Sequence, residues 1–207
     1  MIAIIDYGMG NLHSVEKAGA LSKQRLEITD SRDVIGKAEK IIFPGVGHFG
    51  KAVKELKKRK LFDILKEKIK EGVPFLGICL GMQLLLEESE EARGIEGLAV
   101  IAGKVKRFDD TVFPVPHMGW NSVALRGARN KTQNKTIFAK IKNETFFYFA
   151  HSYYCQPQDA ATVLAVTDYG VPFASALHKG NVWAVQFHPE KSQEFGLKVF
   201  HNFLTLC

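Results

Sequence analysis

Phe75-Leu76-Gly77-Ile78-Cys79-Leu80-Gly81-Met82-Gln83-Leu84-Leu85 joins a short apolar run to the start of a helical pattern, with a cysteine at the joint. Residues 75–78 read as a buried strand and residues 80–88 as a helix. Gly77 and Gly81 flank Cys79 at the spacing of a nucleophile elbow, the sharp strand-to-helix turn that pushes a reactive side chain outward. A thiolate there faces the positive end of a helix. Two readings of Cys79 stand at this point, an inert strand-end thiol and a nucleophile, because free cysteines are also among the most buried residues.

The flanking chain alternates strand 2–5, helix 12–23, strand 26–29, strand 40–43 and helices within 51–71, the pattern of an α/β fold. From about residue 98 it changes to short strands at 100–108, 120–125, 146–149, 163–168, 173–178 and 182–187. The last two form a hairpin across Lys179-Gly180-Asn181. A helix over 192–206 puts Phe195, Val199, Phe200 and Phe203 on one face. The expectation is a mixed sheet flanked by helices, with additional antiparallel strands in the C-terminal half. The polar run 127–136 reads as a surface loop.

Val182-Trp183-Ala184-Val185-Gln186-Phe187-His188-Pro189-Glu190 supplies a base and its orienter. Pro189 keeps His188 out of the helical region, and residues two apart on extended chain face the same way. The Glu190 carboxylate can then bond the imidazole, fix its tautomer and stabilise its charged form, as in a nucleophile-base-acid triad. Taken alone, His-x-Glu fits a solvated pair equally well. Ile41-Ile42-Phe43-Pro44-Gly45-Val46-Gly47-His48 is a strand running into a glycine loop. Such a loop suits either a plain turn or backbone N–H groups aimed at an oxyanion, alongside the N–H of Leu80.

In the order Pro44-Gly45-Val46-Gly47, Gly77-Ile78-Cys79-Leu80-Gly81-Met82-Gln83 and His188-Pro189-Glu190, the chain resembles the class I, triad-type glutamine amidotransferases over nearly its whole length. Asp6-Tyr7-Gly8-Met9-Gly10-Asn11, Pro116-His117-Met118-Gly119-Trp120-Asn121 and Tyr148-Phe149-Ala150-His151-Ser152-Tyr153 narrow the likeness to the glutaminase subunits of imidazole glycerol phosphate synthase. The resemblance implies one flavodoxin-like domain over 1–207 that hydrolyses L-glutamine through Cys79, His188 and Glu190. It implies an oxyanion hole from Val46, Gly47 and Leu80, and substrate contacts from Gly45, Gln83 and the backbone of Ser152 and Tyr153. It also implies a heterodimer with a (βα)8-barrel cyclase that receives the ammonia, with Asn11, Met118, Trp120 and Lys191 as interface residues. No cofactor or metal is implied. Two other readings keep the fold: a paralogue feeding ammonia to a sugar amidation in surface polysaccharide synthesis, and a non-catalytic assembly subunit.

The chain has 207 residues with 46% hydrophobic content, enough for one domain with a sizeable core. It shows no signal-peptide pattern and no apolar run of about 18 residues, so a cytoplasmic protein is expected. Cys79, Cys155 and Cys207 lack the spacing of a disulfide framework or zinc site, with Cys155 expected in the core and Cys207 as a bystander. The net charge of +6 gathers on a helical surface where Lys51, Lys54, Lys57, Lys58, Arg59, Lys60, Lys66, Lys68 and Lys70 alternate with acids. No nucleic-acid motif accompanies it. Gly8-Met9-Gly10 with Asp30 imitates a dinucleotide fingerprint, but the third glycine is replaced by His13, expected to obstruct helix packing. His48, His117, His151, His178 and His201 are scattered without ligand spacing.

Overall fold

The computed structural model describes residues 1–20, 24–111, 113–126 and 136–207. Its centre is a set of parallel strands, β1 (Ile2–Ile5), β2 (Leu26–Thr29), β3 (Lys40–Gly45), β4 (Phe75–Cys79) and β12 (Val182–Val185), in the order β2-β1-β3-β4-β12. β1 and β4 are buried along their whole length, as strands covered on both faces must be. Alternate residues feed two cores. Ala3, Ile5, Ile41, Phe43 and Phe75 join one, and Ile2, Ile4, Ile42, Leu76 and Ile78 join the other.

Helices cover both faces. α2 (Arg32–Gly36), α3 (Phe49–Lys58) and α4 (Leu61–Lys70) follow the first strands, and the stripe Ala52, Val53, Leu56, Leu61, Leu65 and Ile69 belongs to the first core. The Ser31 side chain caps α2 by accepting from the Val34 N–H, and the His48 ring caps α3 by accepting from the Gly50 N–H. The opposite face carries α1 (Leu12–Ala20) and α6 (Gln193–Leu206), which bring Val15, Val199, Phe200 and Phe203 into the second core. Residues 21–23 of the expected first helix, and 127–135 of the expected loop, lie outside the described residues.

The antiparallel half extends from β12 through β11 (Pro172–Lys179), β10 (Val163–Asp168), β7 (His117–Leu125) and β8 (Thr145–His151). Lys179 pairs with Val182 across the expected hairpin, and Gly180 supplies the positive φ of 60° that the two-residue turn requires. β6 (Gly103–Arg107) pairs with β9 (Tyr153–Pro157) and with the short β5 (Glu88–Ser89). β9 and β5 are not legible in the sequence. Only Ser152 lies between β8 and β9, which differ in partner, β7 for the first and β6 and β11 for the second.

Three expectations are corrected by the coordinates. The helix expected over 80–88 is α5 (Leu80–Gln83), because the chain turns after it so that the consecutive Leu84, Leu85 and Leu86 all bury in the first core, which one face of a helix could not do. Lys68 is not on the solvated surface: it is buried, and its ammonium donates to the Gly36 carbonyl at 2.9 Å and pairs with Glu71 at 2.6 Å. His13 obstructs nothing, since its side chain is 89% exposed.

Candidate active site

β4 and β12 lie side by side and parallel, with Ile78 opposite Val185. Cys79 at the end of one strand therefore meets the segment following the other, despite the long chain between them. Carboxyl ends of strands are where open α/β sheets form their sites.

Cys79 has φ 53° and ψ −109°. Such backbone costs a non-glycine residue about 1–3 kcal/mol and persists only when its surroundings impose it. The two glycines of the elbow explain how. A Cβ on Gly81 would run into the Phe43 carbonyl of β3, and one on Gly77 would strike the backbone of Gly81. The turn can fold back this tightly only without those atoms, and it presents Cys79 on the wall of a cavity of about 230 Å³.

His188 is 2% exposed, and its Nδ1 lies 2.7 Å from Glu190 Oε1. The Glu190 side chain is itself only 2% exposed. The His188 N–H donates to the Tyr148 carbonyl at 2.8 Å, and the Ser192 hydroxyl donates to the His188 carbonyl at 2.7 Å while accepting from the Tyr148 N–H. Ser192 thereby ties His188 to β8, a role no sequence signal announced. Burial disfavours the charged His188 ring, but the charge and hydrogen bond of Cys79, followed by those of Glu190, outweigh it and hold the imidazolium up to about 10.

Val46, Gly47, Leu80, Gln83, Ser152 and Tyr153 share the cavity wall with Cys79, together with Glu91, Pro116, Met118, Ala150 and His151. Gly47 has φ 99°, a conformation that glycine tolerates. Gly45 is not on the wall. It pairs with Cys79 across β3 and β4, and a Cβ there would collide with the Tyr7 hydroxyl and crowd Leu80. Burial, with the charge of Cys79, pushes the Tyr7 phenol up. Glu91 was missed in the sequence because no motif frames it; its carboxylate accepts from the Phe49 N–H at 2.6 Å and is the acidic group on the wall.

Of the expected interface residues, Met118 and Trp120 of β7 are 64% and 46% exposed. Lys191 is exposed, and its ammonium lies 5.7 Å above the Tyr148 ring, against which Trp120 packs edge-on at 6.2 Å. Asn11 is exposed just before α1. Below this face the structure joins two histidines that the sequence left scattered. His117 Nδ1 lies 3.0 Å from His151 Nε2, and His117 stacks between Phe149 and Tyr169. Burial holds His117 down to about 4 and is the main cause holding His151 down to about 3.

Residues 3–207 match the family described as glutamine amidotransferase class-I. A Methanocaldococcus jannaschii protein named imidazole glycerol phosphate synthase subunit HisH is 47% identical over 206 residues, covering 100% of each chain. The protein of the same name from Methylococcus capsulatus is 45% identical over 98% of this chain and 95% of its own. A solved structure described as a glutamine amidotransferase superposes with a TM-score of 0.76 at 17% identity, covering 100% of this chain and 98% of that one, a likeness of fold.

Proposed function

The chain belongs to the class-I glutamine amidotransferases, among the HisH subunits of imidazole glycerol phosphate synthase, and from that premise we propose that Cys79, His188 and Glu190 hydrolyse L-glutamine for histidine biosynthesis. The observation that carries the reading is the line from the buried Glu190 carboxylate through the His188 ring to the Cys79 sulfur at the cavity wall.

The thiolate attacks the side-chain carboxamide carbon, and the carbonyl electrons move onto oxygen, where the N–H groups of the Val46–Gly47 loop and of Leu80 receive the charge. His188, charged at the start, gives its proton to the departing nitrogen, so ammonia leaves and a glutamyl thioester remains. The neutral ring then takes a proton from water, the hydroxide adds to the thioester, and the C–S bond breaks to return thiolate and release glutamate. Glu190 keeps the ring in register and supports its charged form throughout. Glu91 offers the negative charge that an α-ammonium requires, and Gln83, Ser152 and Tyr153 line the rest of the amino-acid site.

Ammonia set free in water becomes ammonium and diffuses away, so the product passes to a cyclase subunit, a (βα)8 barrel forming a heterodimer with this chain. The exposed group of Met118, Trp120 and Lys191, with Asn11, is the proposed docking face. The test is glutamate release with and without that barrel and its nucleotide ligand. Stimulation by the barrel, abolished in Cys79→Ala, is expected; turnover that ignores the barrel would point to a different ammonia acceptor, and turnover that survives in Cys79→Ala would remove the nucleophile.

A further inference from the structure

Gln186, the residue after β12, is fully buried between Val185 and Phe187 in the chain, where an amide persists only if its polar atoms are bonded. Its Nε2 lies 3.6 Å from Cys79 Sγ, and its Oε1 lies 3.1 Å from Gln83 Nε2. The hydrogen-bond inventory of the neighbours fixes this orientation. The carbonyl of Tyr153 can only accept, so the Gln83 atom 2.9 Å from it must be the amide nitrogen. That nitrogen has a second hydrogen, which faces Gln186, so the Gln186 atom it meets must be oxygen. The nitrogen of Gln186 is left against the sulfur, as a donor.

The other side of the Tyr153 carbonyl closes the same logic. It accepts from His151 Nδ1 at 2.8 Å, so His151 Nε2 carries no proton and accepts from His117 Nδ1, and His117 Nε2 in turn accepts from Asn121 Nδ2 at 3.2 Å. Both lone pairs of the carbonyl are engaged, leaving Gln83 no room to turn over.

We propose that Gln186 is a catalytic residue of the glutaminase reaction, its side-chain amide donating a hydrogen bond to the Cys79 sulfur in an orientation imposed by Gln83 and the Tyr153 carbonyl. The inference rests on the assignment of Cys79 as nucleophile. A neutral thiol is a weak acceptor and a thiolate a strong one, so this bond strengthens when charge sits on sulfur. Charge sits there twice in the cycle, before attack on the carboxamide and again when the C–S bond of the second tetrahedral intermediate breaks and its electrons return to sulfur. His188 stabilises the same charge from another direction but must change its protonation state to do chemistry; Gln186 donates unchanged throughout. Of the other ionisable groups, Tyr7 just after β1 and Cys155 of β9 feel the charge of Cys79, His151 of β8 feels that of His188, and Glu190 bonds the His188 ring.

The test is the pH dependence of Cys79 alkylation by iodoacetamide in the full chain, read as modification of the Cys79 peptide by mass spectrometry, for wild type, Gln186→Met and Gln186→Glu. The half-exposed Cys207 in the same digest controls for reagent. In Gln186→Met the profile moves to higher pH by about one unit or more, and the slowing is read on its acid side, about tenfold at a fixed pH below the wild-type midpoint. Gln186→Glu, which keeps the acceptor for Gln83 and turns a carboxylate toward sulfur, moves it further. Profiles that superpose on wild type in either folded variant overturn the proposal. Alkylation requires no glutamine: shifted profiles in a chain without glutaminase activity would remove the reaction and leave the donor, and superposed profiles in an active chain would do the reverse.

Discussion

In the parallel half of the sheet the site is held by shape, and in the antiparallel half by side-chain hydrogen bonds. β3 and β4 end in backbone packed so closely that Gly45, Gly77 and Gly81 each lack room for a Cβ, and this crowding sets the turn at Cys79 and the loop at Val46 and Gly47. β7, β8 and β9 instead carry the bonded series Asn121, His117, His151 and the Tyr153 carbonyl, while Ser192 fastens His188 to β8. Cys79 is thus aimed by sterics, whereas His188 and the cavity wall are aimed by polar contacts that bring together remote parts of the chain. Damage to one half is expected to remove chemistry or folding, and damage to the other to remove registration and its dependence on a partner.

The largest effects belong to the line where the halves meet. Cys79→Ala lowers glutamate release by about 10⁴-fold or more. The same change removes the largest influence raising His188, so the ring's NMR titration midpoint falls from about 10. The sign follows from linkage: a ring held above the unfolded value of about 6.5 contributes stability below that pH and loses it as pH rises through about 10, and Cys79→Ala shrinks this alkaline slope. Glu190→Gln keeps the shape but loses the charge behind the imidazolium, with an expected fall of about 10²- to 10⁴-fold in kcat measured with the barrel bound.

Gly81→Ala tests the steric half directly. The added methyl meets the Phe43 carbonyl, part of the backbone, and the expected loss is about 1–3 kcal/mol or more in chemical denaturation. Trp120→Ala tests the other half: unfolding stability stays near wild type because the ring is 46% exposed, while affinity for the barrel drops about tenfold or more in titration calorimetry. The smallest effect is in acid. His117 and His151 are held below the unfolded histidine value, so the stability tied to their neutral forms is present above about pH 6.5 and lost as pH falls through about 4 and then 3. His151→Gln should flatten that acid limb in denaturation series; an unchanged slope would mean that the pair does not govern it.

The same contrast explains what the sequence could disclose. The elbow around Cys79, the glycine loop and His-Pro-Glu are local patterns, and their local geometry was legible because it depends on neighbours in the chain. The strand alternation and the hairpin at Gly180-Asn181 were legible for the same reason. The contacts of Gln186, Glu91, Ser192 and the His117–His151 pair gave no signal, since each is made with partners remote in the chain or on another element. The short α5, the strand β9 and the buried Lys68 are likewise decided by tertiary packing that overrides local pattern. His13 shows the converse: a residue type read as an obstacle is harmless because the helix turns it to solvent.

The most direct test of the central claim is covalent trapping with a chloroketone analogue of glutamine, in the presence of the cyclase barrel, followed by peptide mapping. A single adduct on Cys79, absent in Cys79→Ala and formed far more slowly in His188→Asn, is the expected result. An unlabelled Cys79 in a preparation that still turns glutamine over, or an adduct confined to Cys155 or Cys207, would contradict it.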